Sequence, residues 1–474
     1  MDTLSTIDTS APLCVDLDGT LVKIDTLHQG ILDLIRKNPK YFFKLFFWIN
    51  KGRATLKQEV MKRLDINAHL YPYNKKFIRF LLDKKKSGQQ IILVTAANHR
   101  TAKSIAEYLN IFDDIHSSTD NHNLFGSAKR DLLIEKYESF DYAGDSIHDL
   151  PIFEKARIKI FVNPDKKLKK HKSDIIINER NNFFTSIVKA LRLHQWLKNI
   201  LLFMPMLLAH QLTNINSIYN ATLAFLAFGL TASSVYIIND LLDLTSDQSH
   251  QNKCNRPFAA GDIQLVTGLY IIPILLIGAF SISFFLPPSF SFILVLYLLL
   301  ANSYSLVFKQ IIIFDIILLT TLYILRIISG SLVTNDEISL WFFAFIVTLF
   351  LSLALAKRCM ELVDLKSNNE ANIIYRNRGY KINNYPFIFN VGIGIGFLSI
   401  LIILGYILSP TAQSLYSKPS YLWFLIPIIG YWQIRLWTLI KNKKIFDDPL
   451  HFAITDKKTY FIAVLIFIVI YLSI

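Results

Sequence analysis

Asn239-Asp240-Leu241-Leu242-Asp243-Leu244-Thr245-Ser246-Asp247, followed by Asn252-Lys253-Cys254-Asn255-Arg256-Pro257, is the stretch whose reading decides the fold. Its three carboxylates, at i, i+3 and i+7, are expected on one face of a helix, about a turn apart. They end the apolar run 221–238, at the depth where a membrane helix meets water. Carboxylates are costly there unless something positive binds them. Oxygen ligands grouped in this way suit Mg²⁺, which takes one or two carboxylates together with substrate phosphates. A single Asp would be explained by an N-cap or a polar loop after a membrane helix. Three in register, with Lys253 and Arg256 beside them, predict a site for metal and phosphate.

The rest of the 474-residue chain divides by composition. Residues 1–180 mix charge and apolar side chains like a soluble domain, whereas long apolar runs dominate 181–474. Nine runs read as membrane spans, near 198–212, 217–238, 265–286, 289–307, 311–331, 339–356, 387–409, 420–438 and 459–474. Much of the net charge of +14 lies in short loops between these runs, so it reports membrane orientation and not a nucleic-acid partner. The loops 239–263, 302–310, 357–383 and 441–458 hold nearly all the loop Lys and Arg; the opposite set holds only Lys418. The positive set is predicted cytoplasmic, which puts the aspartate stretch and the N-terminal domain on the inner face of the cytoplasmic membrane. Cys14, Cys254 and Cys359 have no metal or disulfide spacing and fit a reducing compartment. Polar residues after Met1 predict no cleavable signal peptide.

Three stretches of the N-terminal domain read as buried strands ending in chemistry: Leu13-Cys14-Val15-Asp16-Leu17-Asp18-Gly19-Thr20, Ile91-Ile92-Leu93-Val94-Thr95, and Tyr142-Ala143-Gly144-Asp145. With helical patterns between them they predict a parallel Rossmann-type α/β sheet whose ligands bind at the carboxyl ends of the strands. Over roughly 10–165 these residues resemble the haloacid dehalogenase (HAD) superfamily of phosphatases, with all four of its motifs in order. The resemblance implies that Asp16 is the nucleophile forming an aspartyl-phosphate and Asp18 the general acid/base. It implies that Thr95 and Lys129 hold the phosphoryl group. Asp16, Asp18, Asp145 and Asp149 would then form and support a Mg²⁺ site. An insert at about 25–85 resembles the helical cap of that superfamily. Within it, Tyr41-Phe42-Phe43-Lys44-Leu45-Phe46-Phe47-Trp48-Ile49 is too short to span a bilayer; it reads as a buried cap helix, or else as a surface dipping into the membrane interface. The basic run Asp165–Lys172 reads as a solvated link along an anionic leaflet.

Residues 185–474 resemble the UbiA superfamily of intramembrane prenyltransferases, nine-helix proteins with a cytoplasm-facing polar cavity. Asn239–Asp247 matches their N-D-x-x-D-x-x-x-D motif throughout, so the resemblance implies Asp240 and Asp243 as catalytic residues and Asp240, Asp243 and Asp247 as Mg²⁺ ligands. Of the second motif, D-x-x-x-D, only Asp315 is present, as a further ligand; position 319 is Leu. Gln195-Trp196-Leu197-Lys198-Asn199, Tyr304, Lys309, Asp315, Arg326, Lys357-Arg358, Glu361 and Asp448-Pro449 with Asp456 resemble one branch, the decaprenyl-phosphate phosphoribosyltransferases. In that branch the donor is phosphoribosyl pyrophosphate and the acceptor a polyprenyl phosphate. Substrate contacts would fall to Lys198, Asn199, Asn239, Lys253, Arg256, Tyr304, Lys309, Arg326, Lys357, Arg358 and Glu361.

Three functions remain open at this level. The first is phosphoribosyl transfer to a polyprenyl phosphate, followed by removal of the 5-phosphate in the HAD-like domain, giving a lipid pentose donor for the cell envelope. The second is prenyl transfer from an isoprenyl pyrophosphate to an aromatic or other acceptor, beside a separate phosphatase. The third is a non-catalytic anchor or transporter carrying a phosphatase.

Overall fold

The computed structural model describes residues 10–119, 123–367, 380, 382–442, 452 and 456–473. The chain forms two compact units, Met1–Arg192 with Tyr236–Pro273, and Leu193–Val235 with Ile274–Ile474.

The first unit is built on a six-stranded parallel sheet in the order β3-β2-β1-β4-β5-β6, comprising β1 (Leu13–Val15), β2 (Ile91–Asn98), β3 (Asp114–Ser118), β4 (Asp141–Gly144), β5 (Lys159–Val162) and β6 (Ile175–Ile177). Leu13, Cys14 and Val15 are fully buried, as continuous apolar runs in a parallel sheet must be. β1 pairs with β2 on one side and β4 on the other, so the chain departs in opposite directions beside it. At such a switch point the loops part and leave a crevice at the strand ends.

Between β1 and β2 run α1 (Thr26–Lys37), α2 (Tyr41–Asn50), α3 (Arg53–Met61) and α4 (Lys75–Lys86). The first three close around Leu34, Leu45, Trp48, Leu56, Val60 and Met61. Asp25 caps α1 by accepting from the His28 N–H at 2.9 Å. The two readings of the aromatic stretch now separate. Only Leu45 and Trp48 of α2 are buried, while Phe42, Phe43, Phe46, Phe47 and Ile49 are exposed. Apart from Lys44 the run is apolar on every side, and α1 and α3 cover the face that carries Leu45 and Trp48. After β2 come α5 (His99–Leu109), α6 (Ser127–Lys136), α7 (Leu150–Phe153) and α8 (Phe183–Leu191).

The second unit is helical. It begins with a 3₁₀ stretch, Leu193–Phe203, and α9 (Met204–Leu208). α10 (Ile215–Leu242) runs from this unit into the first, where α11 (Leu244–Gln248) and the beginning of α12 (Leu265–Ser283) lie. Then follow α13 (Pro288–Leu306), α14 (Ile312–Thr334), α15 (Leu340–Ser367), α16 (Tyr385–Leu408), α17 (Pro410–Leu415), α18 (Leu425–Lys441) and α19 (Lys457–Ser473). An apolar core joins α14, α15, α16 and α18 through Tyr323, Ile327, Phe350, Met360, Ile388 and Trp437.

Two expectations are corrected. Among the described residues, 7 helices, not nine, are long and apolar enough to cross a membrane. The expected span at 198–212 is instead the 3₁₀ stretch and the five-residue α9. Pro205 lacks the N–H that a continuing helix would need, and at Gly330 the Leu202 carbonyl approaches so closely that a Cβ would collide with it. α19, over the last expected run, has 17 described residues, about 25 Å of helix. The second correction concerns the aspartates. They do not share one unbroken helix, because α10 stops at Leu242 and Asp243 stands between it and α11. Hydrogen bonds from Asp243 N to Asn239 O and from Asp247 N to Asp243 O, both 2.8 Å, still carry a helical path across the break. Asp is a poor interior helix residue, and the break falls there.

Candidate active sites

The crevice at the sheet's carboxyl edge is a cleft of about 590 Å³. Asp16 follows β1 directly, Thr95 lies in β2, Asp145 follows β4, and Lys129 comes from α6. Lys129 Nζ donates to Asp16 Oδ1 at 2.9 Å and to the Tyr142 hydroxyl at 3.1 Å, and lies 3.5 Å from Asp149 Oδ1. Burial alone would lower the Lys129 pKa; Asp149 and Asp16 outweigh it and hold the ammonium above its usual range. One oxygen each of Asp16, Asp145 and Asp149 lies within 4.8 Å of the others. Asp149 Oδ2 is buried without a hydrogen-bond partner. An all-oxygen donor set with a spare buried oxygen fits a hard divalent cation. Burial, and then the charges of Asp16 and Asp149, push Asp145 well above the carboxylate range.

Asp18 lies outside that trio and accepts from the Thr26 N–H at 2.8 Å. Burial, then the charge of Asp25, raises its pKa to about 8, so it carries a proton at neutral pH. The Thr95 hydroxyl accepts from the Ala97 N–H at 3.0 Å and lines the cleft. Gly19, at φ +77°, turns the chain directly after Asp18, and a Cβ there would strike the Asp145 carboxylate. Gly19→Ala is therefore expected to cost ~1–3 kcal/mol in backbone strain and to displace Asp145. The check is p-nitrophenyl phosphate hydrolysis, which should fall.

Sequence reading missed Lys57 of α3. Its Nζ reaches the Ala96 carbonyl at 2.6 Å and Asn123 Oδ1 at 2.8 Å, bringing a cation to the cleft from the cap side. Arg53, His28 and Arg180 line the same cleft. Nothing in the local pattern around Lys57 marks it, because its role comes from how the cap folds back over the sheet.

The aspartate stretch holds a second site within the first unit. Asp240 is 2% exposed; its Oδ1 is paired with Arg192 and lies 3.3 Å from Arg256, while its Oδ2 is buried and unpartnered. Asp247 accepts from Arg256 at 2.6 Å, and burial is the main cause of its raised pKa. Asp243 pairs with Arg36 of α1 at 3.3 Å. The Asn239 side-chain oxygen is buried without a partner, and Lys253 stands exposed in a 3₁₀ turn. Arg36 and Arg192 were not among the expected site residues. Arg192 stood just before the expected first span; Arg36 lies far earlier in the chain, and no sequence signal joins it to Asp243.

α1 serves both sites. Thr26 at its first turn holds Asp18, while Gln29, Asp33 and Arg36 follow at helical spacing along one face. Gln29 donates to Thr245 Oγ1 at 3.1 Å and to Gln248 Oε1 at 2.9 Å, and Asp33 accepts from Thr245 at 2.6 Å.

In the second unit, Asp315 is fully buried at the start of α14 and surrounded by donors. The Tyr304 hydroxyl, Arg358 Nη2 and the Tyr380 hydroxyl each lie 2.9 Å from one of its oxygens. Arg358 also pairs with Glu361. Asp315 is thus committed to a buried ion-pair network. Arg326 donates to Asn199 Oδ1 at 2.9 Å and to the Tyr297 hydroxyl at 3.0 Å, with the rings of Phe228, Tyr297 and Tyr323 around its guanidinium. Lys198 in the 3₁₀ stretch, Lys309 before α14 and Lys357 in α15 are all half-buried. Asp456 forms a two-pronged pair with Arg435 at 2.7 and 2.9 Å, and this bonding holds its carboxyl down at about 2. Asp448 and Pro449 lie outside the described residues.

Fold and sites together define a multi-pass membrane protein with an aspartate-motif helical part and a parallel-sheet α/β part. The sequence profile of the UbiA prenyltransferase family matches residues 200–468, and the chain belongs to that family. An uncharacterized protein of Sinorhizobium fredii, y4nM, is 33% identical over 98% of this chain and 91% of its own length. A decaprenyl-phosphate phosphoribosyltransferase of Mycobacterium tuberculosis is 28% identical over 40% of this chain and 64% of its own. Among solved structures, a UbiA homolog from Archaeoglobus fulgidus bound to DMAPP and Mg²⁺ is 14% identical, with a TM-score of 0.47, over 61% of this chain and 98% of that one. An HAD family hydrolase from Salmonella enterica is 13% identical, with a TM-score of 0.29, over 35% and 67%.

Proposed function

We propose that this chain is a bifunctional enzyme of the cytoplasmic membrane, with both active sites on the cytoplasmic side. Its membrane part transfers 5-phosphoribose from phosphoribosyl pyrophosphate to a polyprenyl phosphate, and its HAD-like part then removes the 5-phosphate. The relation to decaprenyl-phosphate phosphoribosyltransferases supports the substrate pair. The observation that carries the reading is the state of the two acidic motifs. Asp240, Asp243 and Asp247 are faced by Arg36, Arg192 and Arg256, whereas Asp315 is already spent on Arg358, Tyr304 and Tyr380. Position 319, where a second acid would stand, is Leu. The first motif is equipped for a pyrophosphate, and the cationic side chains elsewhere serve a substrate pair bearing two further phosphates.

In the transfer, the acceptor phosphate oxygen bonds to the ribose anomeric carbon as its bond to pyrophosphate breaks. Arg192 and Arg256 are placed to bind the departing phosphates. In the HAD-like cleft an Asp16 oxygen attacks the 5-phosphorus, the ester bond breaks, and Asp18 gives its proton to the leaving hydroxyl. Water then attacks the aspartyl-phosphate, Asp18 takes the proton back, and inorganic phosphate leaves. Lys129 holds the Asp16 carboxylate aimed. Mg²⁺, held by Asp16, Asp145 and Asp149 in one site and by the aspartate motif in the other, would neutralise phosphate charge in both.

The test supplies membranes containing the protein with Mg²⁺, a polyprenyl phosphate and ribose-labelled phosphoribosyl pyrophosphate. Label in the extracted lipid supports the reading. Label arriving only from an isoprenyl pyrophosphate would replace it with prenyl transfer, and label from neither would leave an anchor or transporter. Arg36→Ala gives a finer check. It should raise the KM for the pyrophosphate donor roughly tenfold, the worth of a charge-assisted contact, while p-nitrophenyl phosphate hydrolysis stays unchanged.

A further inference from the structure

The cap helix α2 leaves a large apolar surface that no part of the described chain covers. Phe43 is 69% exposed and Phe47 71%, with Phe42, Phe46 and Ile49 beside them. Phe42 meets Phe43 and Phe46 edge to face, so the rings form one patch. The opposite face of α2 is anchored by Leu45 and Trp48, with the Arg63 guanidinium 4.8 Å from the Trp48 ring. The patch therefore stands on a fixed support. Soluble surfaces seldom expose a contiguous patch of this kind without a partner.

Charge and position name the partner. No acidic residue occurs from 34 to 58, whereas Arg36, Lys37, Lys40, Lys44, Lys51, Arg53 and Lys57 all fall there. Lys40, Lys44, Lys51 and Arg53 are exposed around the aromatic face. Phe rings rimmed by Lys and Arg match an anionic leaflet, where rings enter the acyl boundary and ammonium groups stay among headgroups. Ile49, at the end of α2, lines the Asp16–Asp18 cleft, and so do Leu265 and Val266, the first residues of α12. α12 is long and apolar enough to cross a membrane. The cleft is thus walled on one side by the cap helix and on another by the beginning of a span.

We infer that α2 docks in the headgroup–acyl boundary of an anionic bilayer and sets the HAD-like cleft at the membrane surface, open to a phosphate carried on a lipid. The ten-residue helix is too short to span and lies along the interface. Phe183 and Phe184, exposed at the beginning of α8, add apolar surface on the same unit. The docking stands on the patch itself; the lipid-borne substrate rests on the function proposed above.

The test uses the full chain in nanodiscs containing phosphatidylglycerol. Phe43→Cys and Phe47→Cys, each in a Cys254→Ser background, carry an environment-sensitive fluorophore. Glu135→Cys, on the exposed acidic surface of α6, is the aqueous control. Acyl-chain nitroxide lipids should quench positions 43 and 47 strongly, and iodide should quench them far less than position 135. Iodide quenching equal to the control overturns the docking. Shielding from both quenchers also overturns it, since a protein surface would then cover the patch. Phe43→Glu with Phe47→Glu should leave p-nitrophenyl phosphate hydrolysis unchanged and raise the 5-phosphate content of the lipid product. If the probes report docking but that content does not move, the docking stands and the lipid-phosphate reading of the cleft fails.

Discussion

Membranes carrying the Asp240→Asn chain should transfer no measurable ribose label from phosphoribosyl pyrophosphate to polyprenyl phosphate, a loss on the order of a hundredfold or more. The change is nearly isosteric, so the helix and its packing persist. What disappears is the charge at the most buried carboxylate of the motif, whose second oxygen has no hydrogen-bond partner. Arg192 would then face an amide in place of its carboxylate, and Arg256 would keep Asp247. Extracted-lipid counting reads the result, and p-nitrophenyl phosphate hydrolysis by the same membranes shows that the protein is folded. Undiminished transfer would remove the aspartate motif from the reaction.

The second large effect belongs to Asp16→Asn. An amide cannot form the aspartyl-phosphate, and loss of a nucleophile costs roughly four orders of magnitude or more where it has been isolated. Lys129 is left with Asp149 as its one carboxylate partner, and the trio of carboxylates close enough to hold a metal ion loses one charge. Transfer of label should continue, but the lipid should retain its 5-phosphate, as seen by mass of the extracted product. If the 5-phosphate content stays as in the unaltered chain, another phosphatase acts on the lipid and the two halves of this protein are not consecutive.

The parts of this protein legible in sequence are those written by contiguous residues. β1 with Asp16 and Asp18, β2 with Thr95, and β4 with Asp145 could be read because a buried parallel strand is an unbroken apolar run and its chemistry comes at its end. The aspartate motif was legible because its spacing is local, although the break at Asp243 was not, since a period of three to four residues survives a small kink. One expected span gave way for a similar reason. Hydropathy registers apolar composition, and the stretch 198–212 is apolar without being one helix.

Sequence by itself determined the two kinds of architecture in the chain and the family, because composition, strand-end acids and helical spacing are properties of neighbours along the chain. Tertiary structure alone decided the pairing of Arg36 with Asp243, the capture of Asp315 by Arg358, and which face of α2 remains bare. Each depends on groups brought together from distant positions. The energy of a charge or an apolar ring is set by what surrounds it in space, and no local pattern records that.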